Sequence, residues 1–268
     1  MTLLNLLKKT EFLDDEIKLI LDTDIGLDKA IIDEYCLKLT DISVAENANN
    51  GLIGALINDF DGLKILKVHL LASLITYEKY KKFGICEEVF FDTIKCFSRF
   101  VKEFRILTGR IGFDRSFWTY RQLSLNLFRI GELEYEFSKT LQGKDVIAIH
   151  IPSNANLNKE KIDQSIFLAK KFFGKFFPKY SDVTYSLCSW LLSPQLDNIL
   201  PKTSNIIQFK NRFDIIKTYY DDDYKLWIFG NKNLTPYEFS ETTSLMRGVK
   251  KLVLSGEKFL SAVGYLRK

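Results

Sequence analysis

The chain has 268 residues and a formal net charge of +4, and 46 % of its residues are hydrophobic. This composition is that of a folded globular protein and excludes a disordered chain. Its lysines are scattered rather than gathered in a basic stripe, so we expect no nucleic-acid partner. No run approaches the roughly 20 apolar residues of a membrane span, and the first residues lack a signal-peptide core. We therefore expect a cytoplasmic protein with no membrane partner.

The cysteines give no evidence of a metal site. They are Cys36, Cys86, Cys96 and Cys188, and no two of them share the C-x-x-C spacing that is typical of zinc sites. Most of them have apolar neighbours, where a free cysteine behaves as a small hydrophobic residue. We predict neither a metal ion nor a disulfide framework.

The first half of the chain has a helical pattern. Apolar residues recur at helical spacing from Leu3 to about Thr108, which predicts a helical N-terminal domain over residues 1–112. Leu63 to Tyr80 is the expected central helix, and the polar stretch Asn47 to Gly51 predicts a break between helices. His69 has apolar neighbours, so we interpret it as a buried core histidine, with a ligand role as the alternative.

The pattern changes near residue 113, where we place the start of a second domain, residues 113–268. Glu132 to Phe137 alternates strictly between acidic and apolar residues, and a period of two predicts a strand. The strand places Glu132, Glu134 and Glu136 on one face. This face either points to solvent or lies in a cleft, where the central Glu134 accepts a proton.

The segment from Asp145 to Pro194 predicts one strand–helix–strand unit. Its strand, polar loop, amphipathic helix and second strand are Val146–Ile151, Pro152–Asn156, Asn158–Phe173 and Val183–Leu192. A crossover of this length almost always joins two parallel strands. Ligand sites of open α/β sheets gather at the carboxyl ends of strands, so His150 is either a site residue or a structural histidine.

The end of the chain predicts a hairpin, a helix and a strand. The hairpin consists of Phe213–Tyr220 and Tyr224–Phe229, and we interpret the three aspartates between them as a solvated turn rather than a metal site. Thr242 or Ser244 can cap the helix, and Phe259–Tyr265 is the last strand. The chain as a whole predicts an α+β fold, in which an N-terminal α-helical domain precedes a mixed β-sheet flanked by helices.

Several stretches of the second half are similar to one bacterial family. They are FDRSFWTYRQ (113–122), LFRIGELEYE (127–136), IHIPS (149–153), WLLSP (190–194), LP (200–201), SNI (204–206) and TSLMR (243–247). This family joins a helical N-terminal domain to a GNAT-like C-terminal domain. The order helix, hairpin, helix, strand, helix, hairpin also resembles the core of GNAT-type N-acyltransferases.

The resemblance implies an N-acyltransferase that uses acetyl-CoA or another acyl-CoA as cosubstrate and a small-molecule amine as acceptor. The two parallel strands would splay around the pantetheine arm, and backbone amides before the helix would hold the pyrophosphate. The implied CoA-binding residues are Ile151, Ser153, Asn154, Asn156 and Lys159. The implied base is His150 or Glu134, and the hydroxyl that protonates the departing thiolate is that of Ser189 or Tyr185.

Three further residues are candidates for the substrate pocket, and one loop departs from the family. Trp190, Arg212 and Arg247 are the pocket candidates, although a surface ion pair is the alternative for each arginine. The loop Pro152–Asn156 holds no glycine, whereas GNAT phosphate loops carry glycines. A non-catalytic ligand-binding or interaction protein with the same fold is therefore the second hypothesis. A hydrolase fits poorly, because the chain has no Gly-x-Ser-x-Gly elbow.

Overall fold

The chain forms two compact units, residues 1–130 and 131 onward. Their coordinates come from a computed structural model, which describes residues 1–140 and 142–267. The sequence placed the domain boundary between residues 112 and 113. The boundary between the compact units lies later, between residues 130 and 131. The helix α8 (Ser116–Leu123) belongs to the first unit because it packs on α4 (Ala45–Ala55) and α5 (Leu63–Phe83).

The first unit is helical. Besides α4, α5 and α8 it contains α1 (Leu3–Lys9), α2 (Asp14–Asp22), α3 (Lys29–Leu39), α6 (Glu87–Ile94) and α7 (Cys96–Thr108), and it ends with the strand β1 (Leu127–Ile130). α5 is the central helix, as its apolar pattern predicted, since it contacts α1, α2, α3, α6 and α8. Gly84 ends α5 with a φ of 70°, in the left-handed region that favours glycine.

The predicted break at residues 47–51 is wrong, because these residues lie inside α4. The buried residues of α4 are Ala45, Ala48, Asn49 and Leu52. Their spacing of i, i+3, i+4 and i+7 places them on one face of a helix. Small and polar side chains therefore still form one continuous face, and this face packs on α3 and α8.

His69 is a buried residue of the helical core, as predicted. Its Nδ1 atom lies 2.9 Å from the hydroxyl oxygen of Thr119, and Phe97 and Phe113 contact the ring edge-on. Burial lowers the pKa of His69 to about 3, because the core disfavours the charged imidazolium. The ring is therefore neutral at physiological pH.

The second unit contains the remaining strands and helices. They are β2 (Leu133–Lys139), β3 (Asp145–His150), α9 (Lys159–Phe176), β4 (Thr184–Ser189), α10 (Leu196–Ile199), α11 (Asn205–Lys210), β5 (Phe213–Tyr219), α12 (Asp223–Phe229), α13 (Ser244–Leu254) and β6 (Ser261–Leu266). The sheet order is β1-β2-β3-β4-β6-β5. β3 and β4 are parallel, as the crossover predicted, whereas the pairs β2–β3, β4–β6 and β5–β6 are antiparallel.

Three predictions for the second unit need correction. The helix after the loop continues past Gly174 to Phe176, and the second strand of the crossover ends at Ser189. Residues 190–192 form a 3₁₀ turn instead, because the hydroxyl of Ser189 accepts a hydrogen bond from the Leu191 amide. Tyr224–Phe229 is part of the helix α12 rather than a strand, so β5 pairs with the last strand, β6.

The helix α12 forms because its buried residues follow a helical period. Tyr224 and Ile228 are four positions apart, and both belong to an apolar cluster that also includes Phe239, Val249 and Phe259. The carboxylate of Asp221 accepts a hydrogen bond from the Asp223 amide at the start of the helix. Within the described residues, no helix has the length and apolar character needed to cross a membrane.

Candidate active site

The sheet of the second unit has one apolar and one polar face. Leu133, Tyr135 and Phe137 point to the apolar face, where the rings of Tyr135 and Phe137 contact Phe173 of α9. The strand registers place the alternate residues on the other face, which we call the polar face. It includes Glu134, Glu136, Ser138, Val146, Ala148, His150, Thr184, Ser186, Cys188, Val263, Tyr265, Lys217, Ser261 and Tyr219.

His150 and Glu136 form a hydrogen-bonded pair on the polar face. The Nε2 atom of His150 lies 2.8 Å from Oε2 of Glu136, and the two side chains are 28 % and 15 % exposed. An ion pair or hydrogen bond that is largely shielded from water is stronger than one on an open surface. The carboxylate therefore fixes the orientation of the imidazole.

Glu134 lies directly opposite His150 on the neighbouring strand. Its side chain is buried, with 3 % of the residue exposed, so the solvent-facing interpretation of this glutamate is wrong. The other glutamates of the same face, Glu132 and Glu136, are half-buried. Two of the sequence-predicted site residues, His150 and Glu134, are thus brought together, and Glu136 joins them.

The parallel strands β3 and β4 stop pairing before they end. The last pair in their register is Ala148 with Ser186, although β3 continues to His150 and β4 to Ser189. His150 and Cys188 each lie two residues beyond that pair, on opposite sides of the opening. We call this opening the strand gap. It agrees with the divergence that the family resemblance implies, and His150 lies on its edge.

The loop between β3 and α9 is held by local hydrogen bonds. The Ala155 amide donates to the Pro152 carbonyl, and the amides of Asn158 and Glu160 donate to side-chain oxygens of Asn156 and Asn158. Asn158 is the N-cap of α9, as predicted. Ser153, Asn154, Asn156 and Lys159 are exposed in or beside this loop, and Ile151 is half-buried at its start.

One backbone amide of this loop already donates a hydrogen bond to a carboxylate. Oε2 of Glu132 accepts a hydrogen bond of 2.8 Å from the Asn156 amide, and its other oxygen lies 3.4 Å from Nζ of Lys161. The amino end of a helix attracts anions through its unpaired amides and its dipole. Glu132 therefore places a negative charge beside the position expected for the pyrophosphate.

Arg212 connects α9 to the region before β5. Its guanidinium donates to Asp163 Oδ1, to the Lys159 carbonyl and to the Gln208 carbonyl, and its side chain is 14 % exposed. A shallow cleft of about 450 Å³ adjoins it, lined by Lys159, Asp163, Gln208, Asn211 and Arg212. The structure thus brings Arg212 next to Lys159, at the start of α9, whereas the sequence assigned Arg212 to the acceptor pocket.

The other predicted pocket residues lie elsewhere. Trp190 packs against the apolar cluster of α10 to α13. Arg247 is exposed and donates to the carbonyls of Glu241 and Thr242, so it stabilises the turn before α13.

The two predicted hydroxyl donors belong to the apolar side of β4. Tyr185 is buried with its ring edge-on to those of Tyr135 and Phe173. Ser189 alternates in the same phase as Tyr185, and its oxygen accepts a hydrogen bond from the Leu191 amide. Neither hydroxyl shares the polar face with His150.

A pair that the sequence did not single out lies across the strand gap from His150. The sulfur of Cys188 and the phenolic oxygen of Tyr219 are 2.8 Å apart on the polar face. The two residues are 31 positions apart in the chain, in β4 and β5, and the insertion of β6 between those strands brings them together. The only signal in the sequence is their shared strand periodicity. Among the described residues, no three histidine, cysteine or acidic side chains are grouped to hold a metal ion.

Sequence models of two domain families match almost the whole chain. The model of the N-acyltransferase N-terminal domain matches residues 1–125, and that of the GNAT-like C-terminal domain matches residues 127–266. No curated protein matches the chain.

Solved structures with a similar fold include an acyltransferase bound to decanoyl-CoA and teicoplanin, with a TM-score of 0.83 and 21 % identity. The acyltransferase bound to CoA and 10C-teicoplanin also has a TM-score of 0.83, with 20 % identity. A mutant acyltransferase bound to octanoyl-CoA has a TM-score of 0.82 and 20 % identity. Each comparison covers 98 % of this chain and 86 % of the other. At this identity the likeness shows the fold, a helical region followed by a mixed six-stranded sheet.

Proposed function

Because the chain belongs to the family with a GNAT-like C-terminal domain, here following an N-acyltransferase N-terminal domain, we propose that it transfers an acyl group from acyl-CoA to an amine. The strand gap beside the hydrogen-bonded pair of His150 and Glu136 is the observation that carries this proposal. The similar solved structures support it, since they hold CoA, octanoyl-CoA or decanoyl-CoA.

The proposed position of acyl-CoA follows from the strand gap and the start of α9. Unpaired backbone groups of diverging strands can pair with the amide groups of a pantetheine arm. The phosphates would lie at the amino end of α9, where Lys159 adds a positive charge beside the helix dipole. The loop residues Ile151, Ser153, Asn154 and Asn156 remain the proposed contacts of the donor. Glu132 opposes phosphate binding there, as its hydrogen bond to the Asn156 amide indicates.

His150 is the proposed general base. An amine must lose a proton when its nitrogen attacks the thioester carbonyl carbon, and a positioned imidazole can accept that proton. With its Nε2 proton donated to Glu136, the neutral ring carries its lone pair on Nδ1. The Glu136 carboxylate then stabilises the imidazolium that forms.

Glu134 is the weaker of the two proposed bases. It is 3 % exposed, whereas the side chain of His150 is 28 % exposed at the edge of the strand gap. A base must come within hydrogen-bond reach of the amine, and His150 needs less displacement of its neighbours to do so. Glu134 lies opposite His150 on the neighbouring strand.

The proposed acceptor is a small molecule with a primary amine. One of the similar structures holds teicoplanin and another holds 10C-teicoplanin, and these compounds are ligands of those proteins. The cytoplasmic location and the absence of a nucleic-acid partner stay predictions from the sequence.

Calorimetry and thiol release test the proposed function. The purified chain is titrated with acetyl-CoA, octanoyl-CoA and decanoyl-CoA, and free thiol is then followed with ethanolamine, glucosamine and hydroxylamine as acceptors. We expect saturable binding of at least one acyl-CoA and thiol release above the uncatalysed rate. No binding at millimolar acyl-CoA would refute the proposal, and binding without thiol release would favour the non-catalytic alternative.

A further inference from the structure

The polar face is open to solvent at the strand gap. Ala148, His150 and Ser186 are half-buried there, and Cys188 is exposed. The alternate residues of the same two strands lie on the apolar face and are all buried; they are Ile147, Ile149, Tyr185 and Leu187. Water therefore reaches the strand gap from the polar side.

The side chains around His150 are mostly polar. Glu134 lies opposite it on β2, and Glu136 bonds to its Nε2 atom. Ser186 and Cys188 lie on the neighbouring strand β4. Active sites that exclude water do so by closing over the reacting atoms, whereas polar surroundings offer hydrogen-bond partners to water. A water molecule beside the imidazole is thus favoured over a dry site.

Water competes with an amine for the imidazole of His150. A base that accepts a proton from an amine nitrogen at this position can equally accept one from a water oxygen. An alkylamine is mostly charged at pH 7, where only about one molecule in 10³ has lost its proton and can attack. Water needs no prior deprotonation and is present throughout the open polar face.

We infer that the chain also hydrolyses acyl-CoA, with water in the place of the amine. This inference rests on the part of the proposed function that concerns acyl-CoA binding. The hydrolysis uses a general base and no nucleophilic side chain. It therefore needs neither a serine nor a Gly-x-Ser-x-Gly elbow.

His150 and one water molecule carry out the hydrolytic step. His150 accepts a proton from the water as the water oxygen attacks the thioester carbonyl carbon. The tetrahedral intermediate collapses, the carbon–sulfur bond breaks, and its electron pair stays on sulfur. The thiolate then takes a proton from the imidazolium, which returns His150 to its neutral form. One thioester and one water give one carboxylic acid and free CoA, with no net change in the protein.

Incorporation of oxygen-18 measures this activity directly. The purified chain is incubated with octanoyl-CoA, and separately with acetyl-CoA, in oxygen-18 water and a buffer without amine groups. Mass spectrometry should find one oxygen-18 atom in each molecule of acid that is released. We expect at least one donor to be hydrolysed about 100-fold or more faster than in buffer, the lower end of general-base contributions. Rates equal to those in buffer for both donors would overturn the inference.

His150→Gln removes the base while keeping a side chain of similar size. Hydrolysis should fall by about 100-fold, because glutamine cannot accept the proton. The Kd for the same acyl-CoA should change by less than about twofold, since the base acts on the chemical step, and an unchanged Kd also shows that the variant is folded. Glu257 is exposed, and Glu257→Gln should match the wild type. Full hydrolysis in His150→Gln would overturn the inference.

An amine that the protein acylates should divert the thioester from hydrolysis. Both acceptors use the same imidazole, so release of the acid should fall as the amide product rises with amine concentration. The two products should also decrease by the same factor in His150→Gln. If a saturating amine leaves the release of acid unchanged, hydrolysis takes place elsewhere and the inference is wrong.

The outcomes separate this inference from the proposed transfer to an amine. Amide formation without hydrolysis would overturn the inference alone. Hydrolysis without amide formation, for every amine tried, would remove the proposed transfer and support the inference. Bound acyl-CoA that is neither hydrolysed nor transferred would overturn both.

Discussion

The carboxylate of Glu132 lies 2.8 Å from the backbone amide of Asn156, although 24 residues separate the two in the chain. The contact joins the start of β2 to the loop before α9. An amide near the amino end of α9, which could otherwise bind an anion, thus already donates to a carboxylate of the protein itself. An incoming phosphate must therefore displace this carboxylate or bind in its field.

Replacing Glu132 by glutamine should strengthen the binding of acyl-CoA. The amide of glutamine can still accept a hydrogen bond from Asn156, while the repulsion of the phosphates is removed. A single charge at a helix amino end contributes about 1 kcal/mol, so we expect the Kd to fall about fivefold at low salt. Calorimetry at two salt concentrations measures this change, and the gain should shrink at high salt.

Asp182→Asn is the matched control for Glu132→Gln. Asp182 is exposed in the loop before β4, near the other end of the crossover helix, and the change also removes one negative charge. Its effect on the Kd should be less than about twofold, because exposed charges beyond a Debye length are screened. An equal gain in both variants would mean that net charge, rather than the contact with Asn156, limits binding.

Glu136→Gln should lower turnover without weakening acyl-CoA binding. The carboxylate that faces Nε2 of His150 is then neutral, so the imidazolium loses its partner. We expect kcat to fall by about 100-fold, the lower end of general acid–base contributions. The exposed Glu257→Gln is the control. Wild-type kcat in Glu136→Gln would remove this pair from the mechanism.

The sequence predicted the crossover unit and missed the contacts that complete the site. The strand before the loop, the cap at Asn158 and the parallel pairing all follow from local periodicity and capping rules. Residues 224–229 are almost continuously apolar, and such a short run fits a strand or a helix equally well. Which one forms is decided by the packing of Tyr224 against Phe259, a residue far along the chain.

Contacts between distant residues account for most of what remained unpredicted in the site. The pair of Cys188 and Tyr219 depends on the insertion of β6 between β4 and β5, and strand order is not encoded in local pattern. The burial of Glu134 depends equally on what covers the polar face. The period-two alternation identified its face correctly but could not decide whether that face meets water.

Arg212→Lys should destabilise the second unit. A lysine cannot reproduce the fork that holds Asp163 and two backbone carbonyls, and the side chain is largely buried. Loss of hydrogen bonds to a charged group costs about 2 kcal/mol, which chemical denaturation can measure as a lower free energy of unfolding.

Arg247→Lys is the control for Arg212→Lys. Its guanidinium is exposed and bonds to two carbonyls of an exposed turn, so we expect a cost of about 0.5 kcal/mol or less. If the two variants lose equal stability, the contacts of Arg212 with α9 contribute no more to the free energy of unfolding than those of an exposed arginine.

The helical unit should lose stability in mild acid because of His69. The folded pKa of about 3 lies below the unfolded value near 6.5, so protons bind preferentially to the unfolded chain between these values. Stability is therefore complete above about pH 6.5 and falls as the pH decreases toward 3. The expected loss from His69 is about 2 kcal/mol between pH 7 and pH 5.

Denaturation curves of the wild type and His69→Gln, measured from pH 5 to pH 7.5, test this expectation. Glutamine can retain a hydrogen bond to Thr119 but does not titrate in this range. The variant should therefore show a shallower dependence of the free energy of unfolding on pH. If the free energy of unfolding of the wild type and of His69→Gln depends on pH to the same degree, groups other than His69 cause the acid sensitivity.

Ser165 fixes the rotation and height of α9 on the sheet. Its hydroxyl lies 2.9 Å from the hydroxyl of Tyr135 and accepts a hydrogen bond from the Leu133 amide, while the absence of a side chain at Gly131 lets the helix approach closely. Sliding α9 by one turn would break all of these contacts together. The position of α9 on the sheet is therefore fixed, and the place of its amino end beside the loop Pro152–Asn156 is fixed with it.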